Sequence, residues 1–169
     1  MPTLREARAE DALEIAGVHV RSWQVAYRGL LDDDYLDALR PEDRVDRYSL
    51  GGTSNASPRT IVAVENGRIR GFATTGASRD ADRAGAGELY ALYVDPPSWS
   101  TGIGRLLMVR ARSHLVRDGF DQAVLWLLGG NARAERFYLT DGWSIEGSKR
   151  EEDVWGIRVE VVRFARRLP

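Results

Sequence analysis

Residues 88–128 constrain the fold of this chain more than any other segment. They contain a strand candidate at Glu88–Val94, a helix candidate at Gly102–Arg117 and a second strand candidate at Gln122–Leu128. Each strand candidate carries an unbroken run of six apolar residues, which suits a buried strand and is far too short to span a membrane. A helix that connects two neighbouring strands of one sheet makes them parallel, with a right-handed crossover. We therefore expect one parallel strand–helix–strand unit.

A hairpin is predicted ahead of this unit. The β-branched and apolar strand Thr60–Glu65 is followed by Asn66-Gly67, a dipeptide that tolerates positive φ at both turn positions, and the chain then resumes as Arg68–Thr75. Residues Thr3–Arg8 are predicted to form an opening strand.

A second hairpin is predicted at the end of the chain. Its strands are Trp143–Ser148 and Gly156–Phe164, antiparallel across a charged turn at Arg150–Asp153. The predicted class is therefore α+β (mixed α/β), with a central, mostly antiparallel mixed sheet that holds one parallel strand–helix–strand unit and is flanked by helices.

The chain before the first hairpin has the pattern of helices. Asp11 is a suitable N-cap for a helix whose apolar residues recur at spacings of three and four. Short helices are predicted at Asp33–Leu39 and Pro41–Tyr48, and loops at Gly51–Pro58 and Gly76–Gly87. The apolar stripe of the first helix consists of Leu13, Ile15, Ala16, Val18, Val20, Trp23 and Tyr27.

Composition excludes several classes of function. The 169 residues suit a single domain, 1–169, and the 24 basic and 25 acidic residues leave no basic surface that would favour nucleic acid. The absence of cysteine excludes thiol catalysis and thiolate metal sites, and two histidines are too few for most zinc sites. The N-terminal residues lack the apolar stretch of a secretion signal, so we expect a cytoplasmic protein that uses neither a membrane nor a metal.

The glycine-rich turn Ser100–Arg105, between a strand and a helix, predicts a site for phosphate. Glycines let main-chain amides face a ligand, and the helix N-terminus adds partial positive charge. Arg105 opposes the helix dipole, which is easier to understand if an anion binds there; the other interpretation is a tight turn with a solvated arginine. Arg105-Leu106 does not fit a P-loop, and Leu107 stands where a dinucleotide-binding loop needs its third glycine.

Two motifs together resemble the GNAT superfamily of acetyl-CoA-dependent N-acetyltransferases. Trp99–Gly104 matches the family loop Gln/Arg-x-x-Gly-x-Gly/Ala, although tryptophan replaces the first residue and Ser100 stands where glycine is usual. Asn131–Tyr138, followed by Gly142-Trp143, is similar to the family's Asn-x-x-Ala-x-x-x-Tyr-x-x-x-Gly-Phe helix. Asn131 and Tyr138 are seven residues apart and so share one helix face. Ser22–Gly29 also resembles one branch of the family.

The resemblance implies a catalytic pair. It places the hydroxyl of Tyr138 near the thioester sulfur as the acid; the alternative is a tyrosine packed under its helix. Glu88 stands where protein-acetylating members carry their basic glutamate, and strand alternation would put side chains 88, 90, 92 and 94 on one face. The alternative interpretations are a strand-end glutamate in water, or ordered waters acting as the base.

The resemblance also implies the binding residues. The main chain of Leu92, Tyr93 and Val94 would bind pantetheine as an added strand does. Asn131 would bond pantetheine or cap its helix. Trp23 and Tyr27 would line the acceptor site, although aromatic residues at helical spacing are more often core. His19 and His114 lie on apolar helix faces and fit core positions. The pyrophosphate would lie on Thr101, Gly102, Ile103, Gly104 and Arg105.

The function predicted is therefore direct transfer of acetyl from acetyl-CoA to a primary amine of a small molecule or peptide, through a ternary complex. The alternative is a catalytically silent acyl-CoA-binding sensor or partner module. A homodimer is predicted from the apolar face of Ile157, Val159 and Val161; otherwise that strand closes its own sheet.

Overall fold

Seven strands form one sheet in the computed structural model, which describes residues 1–48, 50–51 and 58–169. The sheet order is β1-β2-β3-β4-β5-β7-β6, in which β4 and β5 pair in parallel and the other neighbours are antiparallel. This confirms the predicted α+β class. The predicted loop at 51–58 falls largely on residues 52–57, outside the described residues. The elements are β1 (Thr3–Glu6), α1 (Ala12–Ala26), α2 (Asp33–Ala38), β2 (Arg59–Glu65), β3 (Arg68–Ala77), β4 (Gly87–Val94), α3 (Ile103–Arg117), β5 (Gln122–Leu128), α4 (Ala132–Thr140), β6 (Ser144–Val154) and β7 (Ile157–Arg167).

The helices cover the two faces of the sheet because each helix has one apolar side. On one face, α3 and α4 bury residues such as Leu107, Leu115 and Tyr138 against the strands. On the other face, α1 buries Ile15 and Val18 against β2 and β3. The sheet is thus enclosed between α3 and α4 on one side and α1 on the other. No helix in the described ranges is both long enough and apolar enough to cross a membrane.

The hairpin between β2 and β3 is confirmed. Asn66 and Gly67 have φ of 53° and 72°, the left-handed conformation that this tight turn requires. The region 41–48 differs from the prediction of one short helix, because it folds as two 3₁₀ turns, Pro41–Asp43 and Val45–Arg47. Strand β1 ends at Glu6, short of the predicted Arg8.

The predicted turn at Arg150–Asp153 is wrong. These residues lie within β6, and the turn is formed by Trp155 and Gly156, with φ of 58° and 79°. The charged residues stay in the strand because they pair along the hairpin, as when Arg158 contacts both Glu151 and Asp153. The longer hairpin carries the Trp155 side chain to helix α1, where its ring packs against Trp23.

The apolar face from which a dimer was predicted packs inside this chain. Val159 and Val161 are buried, and β7 lies between β5 and β6 rather than at the edge of the sheet. The strand therefore closes its own sheet, and the homodimer stays a prediction that light scattering can test.

Candidate functional site

Strands β4 and β5 run side by side for two residue pairs and then separate. Gly87 pairs with Ala123 and Glu88 with Val124. Just beyond Glu88 the register of β4 against β3 shifts, so that Tyr90 has no partner and forms a β-bulge. A bulge bends its strand, and the rest of β4 diverges from β5. We call the resulting space the β4–β5 gap.

The bulge also changes which side chains of β4 face each layer. The prediction that side chains 88, 90, 92 and 94 share one face is wrong, because one extra residue inverts the alternation. Leu92 and Val94 pack with Leu89 in the core under α3, whereas Tyr93 packs with the α1 layer.

Main-chain groups of β4 line the gap. The N–H of Asp95 donates to the carbonyl of Arg70 in β3 at 2.7 Å. Alternate residues of a strand turn their N–H and C=O groups toward the same neighbour. The main chain of Tyr93 therefore faces β3, while that of Leu92 and Val94 faces the gap.

The far end of the gap is closed by a tryptophan. The carbonyl of Val94 accepts hydrogen bonds from Ser22 Oγ at 2.9 Å and from Trp99 Nε1 at 2.7 Å. The guanidinium of Arg133, on α4, stacks 4.4 Å from the centre of the Trp99 ring and lies 3.4 Å from Ser100 Oγ. The position where the family loop carries Gln or Arg thus holds a tryptophan that is covered by an arginine from another helix.

Two glycines shape the loop that leads into α3. Gly102 has φ of 94°, a conformation that L side chains rarely adopt. A Cβ at Gly104 would lie 3.3 Å from Phe137 of α4, so glycine lets the loop and α4 approach each other. The Thr101 hydroxyl donates to the carbonyl of Ser98 at 2.6 Å and holds the turn.

The first turn of α3 has main-chain donors available. The N–H of Leu106 is the first to bond within the helix, to the carbonyl of Gly102 at 3.1 Å. The N–H groups of Ile103, Gly104 and Arg105 precede it, as the orphan donors of a helix N-terminus do. Arg105 is exposed, and within the described ranges its guanidinium has no ion-pair partner. The loop therefore presents several N–H groups and one cation to an anionic ligand.

Three tyrosines from three elements meet beside the gap. Burial raises the pKa of Tyr138, on α4, well above its ordinary value, and Tyr93 of β4 adds to the shift. Burial also raises the pKa of Tyr27, at the end of α1, and neighbouring Tyr93 and Tyr138 contribute, while Asn131 opposes the shift. Asn131 Oδ1 accepts from the N–H of Ala134 at 3.1 Å, so this residue caps α4. All three hydroxyls are therefore protonated at neutral pH.

Glu88 is buried rather than solvated. Its side chain is 1% exposed and lies at the start of the gap, on the sheet face opposite Leu89. The backbone N–H of Arg79 donates to Oε1 of Glu88 at 3.2 Å, and the side-chain Nε of Arg79 donates to Oε2 of Glu88 at 3.0 Å. Arg79 Nη2 contacts Oε2 as well. A buried carboxylate needs such a partner to compensate the hydration that it loses.

Trp23 and Tyr27 are both buried, and they also face other aromatic residues beside the gap. Trp23 Nε1 donates to the hydroxyl of Tyr93 at 3.2 Å, and the Trp23 and Tyr27 rings meet edge to face, 4.9 Å apart. His19 is buried next to them, and burial lowers its pKa to about 3, so it is neutral at physiological pH. Trp23 and Tyr27 are therefore core residues, as the second interpretation has it, and their role in lining an acceptor site stays a prediction.

Sequence reasoning missed Arg79, Arg133 and the residues that pack against Trp155. Each acts through a partner on another element, and no local pattern marks such a contact. The sequence does hold one signal for Arg133. Trp99 stands where the family loop has Gln or Arg, and this suggests that another residue supplies the cation. No group of three or more metal-ligating side chains occurs in the part of the chain that the structure describes.

Comparison with known sequences is consistent with this geometry. The acetyltransferase (GNAT) family matches residues 18–143. An uncharacterized N-acetyltransferase of Bacillus subtilis, YuaI, is 34% identical over 132 residues, which are 78% of this chain and 74% of YuaI. The mycothiol acetyltransferase of Thermobispora bispora is 33% identical over 91 residues, which are 51% of this chain and 31% of that protein.

Solved structures share the fold. The PaiA N-acetyltransferase of Thermoplasma acidophilum in complex with coenzyme A has a TM-score of 0.74 at 19% identity, with 99% of each chain covered. YncA of Salmonella typhimurium with acetyl-CoA has a TM-score of 0.72 at 20% identity, covering 99% of this chain and 94% of YncA.

The fold and the sequence matches together define an acyltransferase. The chain belongs to the acetyltransferase (GNAT) family.

Proposed function

We propose that this protein transfers the acetyl group of acetyl-CoA directly to a primary amine of a small molecule or peptide, in a ternary complex. The observation that carries the proposal is the β4–β5 gap, which lies between the glycine loop after β4 and α4, whose Tyr138 interacts with Tyr93 of β4. Such a gap accepts an extended ligand whose phosphates bind at the loop and whose thioester lies near the tyrosine.

Acetyl-CoA fits the groups that the chain presents. Pantetheine carries amides, and the gap-facing N–H and C=O of Leu92 and the N–H of Val94 suit hydrogen bonds to them. Arg133 places a guanidinium beside the loop. This cation takes the place of the Gln or Arg side chain that the family carries at the position of Trp99. PaiA and YncA have coenzyme A and acetyl-CoA bound in the same fold. The pyrophosphate would bind the turn formed by Thr101, Gly102, Ile103, Gly104 and Arg105.

The chemistry uses one carboxylate and one hydroxyl. The acceptor amine must lose a proton before its lone pair attacks the thioester carbonyl, and the carboxylate of Glu88 takes that proton, directly or through water. The C–S bond then breaks, the leaving sulfur takes the electron pair, and the nitrogen, now bonded to the acetyl carbon, releases its second proton to solvent. Because its pKa is raised, Tyr138 stays protonated and donates a hydrogen bond to that sulfur. Trp23 and Tyr27 border the acceptor.

A thiol-release assay with acetyl-CoA and a panel of amines tests this function. We expect release of CoA to depend on an amine, with one acetylated amine formed per thiol. Binding of acetyl-CoA without turnover of any amine would instead support a silent acyl-CoA-binding module. A cytoplasmic location and a homodimer stay predictions.

Coenzyme A should stabilise the folded protein, and Arg105→Glu should weaken that effect. Ligand at 100 times Kd stabilises by about 2.7 kcal/mol, which raises Tm by about 5–10 °C in a domain of this size. Reversing the charge of Arg105 should raise the Kd of CoA about 10- to 100-fold, because charge-assisted hydrogen bonds to phosphate are lost. Thermal denaturation with and without CoA, and calorimetric titration, measure both quantities.

This variant separates binding from folding. An acidic residue in the first turn of a helix favours the helix dipole, so the ligand-free Tm of Arg105→Glu should not fall. Arg110→Glu makes the same charge change at another exposed position of α3 and should leave the Kd unchanged. Equal losses of affinity in the two variants would show that net charge, rather than the loop, governs binding.

A further inference from the structure

An aromatic wall lies on the α1 side of the β4–β5 gap. We define it as His19, Trp23, Tyr48, Tyr93 and Trp155. His19 lies at its centre, with its ring centroid 4.4 Å from that of Tyr93 and 4.6 Å from that of Trp155. The hydroxyl of Tyr48 lies 2.9 Å from Nδ1 of His19.

One cationic side chain, that of Arg44, packs against this wall. The guanidinium carbon of Arg44 lies 3.7 Å from the centre of the Trp155 ring. Arg44 is half-buried, and its Nε is buried with no hydrogen-bond partner in the described ranges. The guanidinium also interacts with the hydroxyl of Tyr48 and with Tyr93.

No carboxylate in residues 1–48, 50–51 and 58–169 comes within ion-pair distance of Arg44. The remaining residues, 49 and 52–57, contain no aspartate or glutamate in the sequence. Arg163, in contrast, is buried among the carboxylates of Asp80, Asp82 and Glu146. A half-buried guanidinium loses hydration, and an anion is the partner that compensates it best.

The titratable side chains of the aromatic wall carry no charge near neutral pH. His19 is neutral because burial lowers its pKa to about 3, and Tyr48 is neutral because burial raises its pKa to about 12. Burial likewise raises the pKa of Tyr93. Among these side chains the charge is therefore that of Arg44, which repels a cation and attracts an anion.

We propose that Arg44 binds a carboxylate of the acceptor, so that the acceptor is an amino acid or a related amine with a carboxylate a few bonds from its nitrogen. Stacking on Trp155 holds the guanidinium plane and directs its remaining N–H groups to a planar anion. Tyr93 interacts with both Arg44 and Tyr138, and so joins the carboxylate subsite to the proposed site of acetyl transfer. This inference rests on the proposed function and names the substrate class for the same site.

Matched pairs of acceptors test the carboxylate subsite at Arg44. Each pair is an amino acid and its carboxamide, which keep the same amine and differ in the anionic group. We expect wild-type kcat/KM to favour the amino acid, and Arg44→Gln to reduce the acid-to-amide ratio about 10- to 100-fold, mainly through KM. Comparing this ratio between variants cancels the difference in amine pKa within each pair. Arg44→Lys should keep part of the preference.

The control is Arg47→Gln, which removes a neighbouring exposed arginine and should change the ratio far less than Arg44→Gln does. Arg44→Gln should reduce kcat/KM with the carboxamide much less than with the amino acid. An equal loss on acid and amide would overturn the carboxylate subsite and leave acetyl transfer intact. Absence of turnover with every amine would overturn the proposed function itself.

Discussion

Replacing Tyr138 with phenylalanine should lower kcat about 100- to 1,000-fold, the usual cost of removing one hydrogen-bond donor positioned at charge that develops in the transition state. The substitution removes one hydroxyl and keeps a ring that packs among Phe137, Trp143 and Phe164. The lost hydrogen bond acts on the leaving sulfur, so the effect falls on the transition state rather than on binding. Steady-state kinetics with saturating acetyl-CoA and amine measure it.

The binding of CoA is the control for this variant. The rise in Tm with CoA should be the same in Tyr138→Phe and the wild type. Because the pKa of Tyr138 is raised, wild-type kcat should also show no loss from ionisation of this hydroxyl below about pH 10. Normal turnover of the variant would end the role of Tyr138 as donor to the sulfur.

Replacing Glu88 with glutamine should lower activity by about 100-fold or more near pH 7. An alkylamine with a pKa near 10.4 is almost fully protonated at that pH, and the variant lacks the carboxylate that accepts its proton. As pH rises toward the amine pKa, more amine is already neutral and the difference from wild type should shrink. A pH–rate profile of both proteins from pH 6 to about 10 tests this.

A variant of Arg79 distinguishes two roles of Glu88, that of a catalytic base and that of a member of a structural ion pair. Arg79→Met removes the partner of Glu88 and keeps the carboxylate, and Arg79 itself is 63% exposed at its side chain. If Glu88 only anchors the segment before β4, both variants should lose activity and stability to a similar extent at every pH. If Glu88 accepts a proton, the loss in Glu88→Gln should shrink at high pH, where the amine is already neutral, whereas a loss that comes from instability should not.

Much of the fold could be predicted from local signals. The turn at Asn66-Gly67 and the boundaries of β5 follow from turn chemistry and apolar runs, which depend on neighbouring residues alone. The turn at Trp155-Gly156 could not, because tryptophan is an unusual residue at positive φ and the charged run 150–153 has the composition of a turn. Those charges are stabilised by pairing along the hairpin, which only the folded chain shows.

Some features of the site could likewise be predicted from local sequence, and others could not. The glycine loop and the helix from Asn131 to Tyr138 carry their signal in residue type and spacing. The bulge at Tyr90 has no such signal, since it comes from the register of β4 against β3, and it sets which β4 groups face the gap. The stacking of Arg133 on Trp99 and of Arg44 on Trp155 joins residues far apart in sequence. The glycine loop and the Asn131–Tyr138 helix were therefore predictable, and the contacts proposed to select the acceptor were not.

The most direct test of the account follows the acetyl group itself. Acetyl-CoA labelled with ¹³C in the acetyl group is incubated with the protein and an amine, and mass spectrometry follows the label on the amine and on the intact protein. Direct transfer predicts that the label appears on the amine in proportion to the CoA released, with none retained on the protein. Label bound covalently to the protein as an intermediate, or CoA released without any acetylated amine, would contradict it.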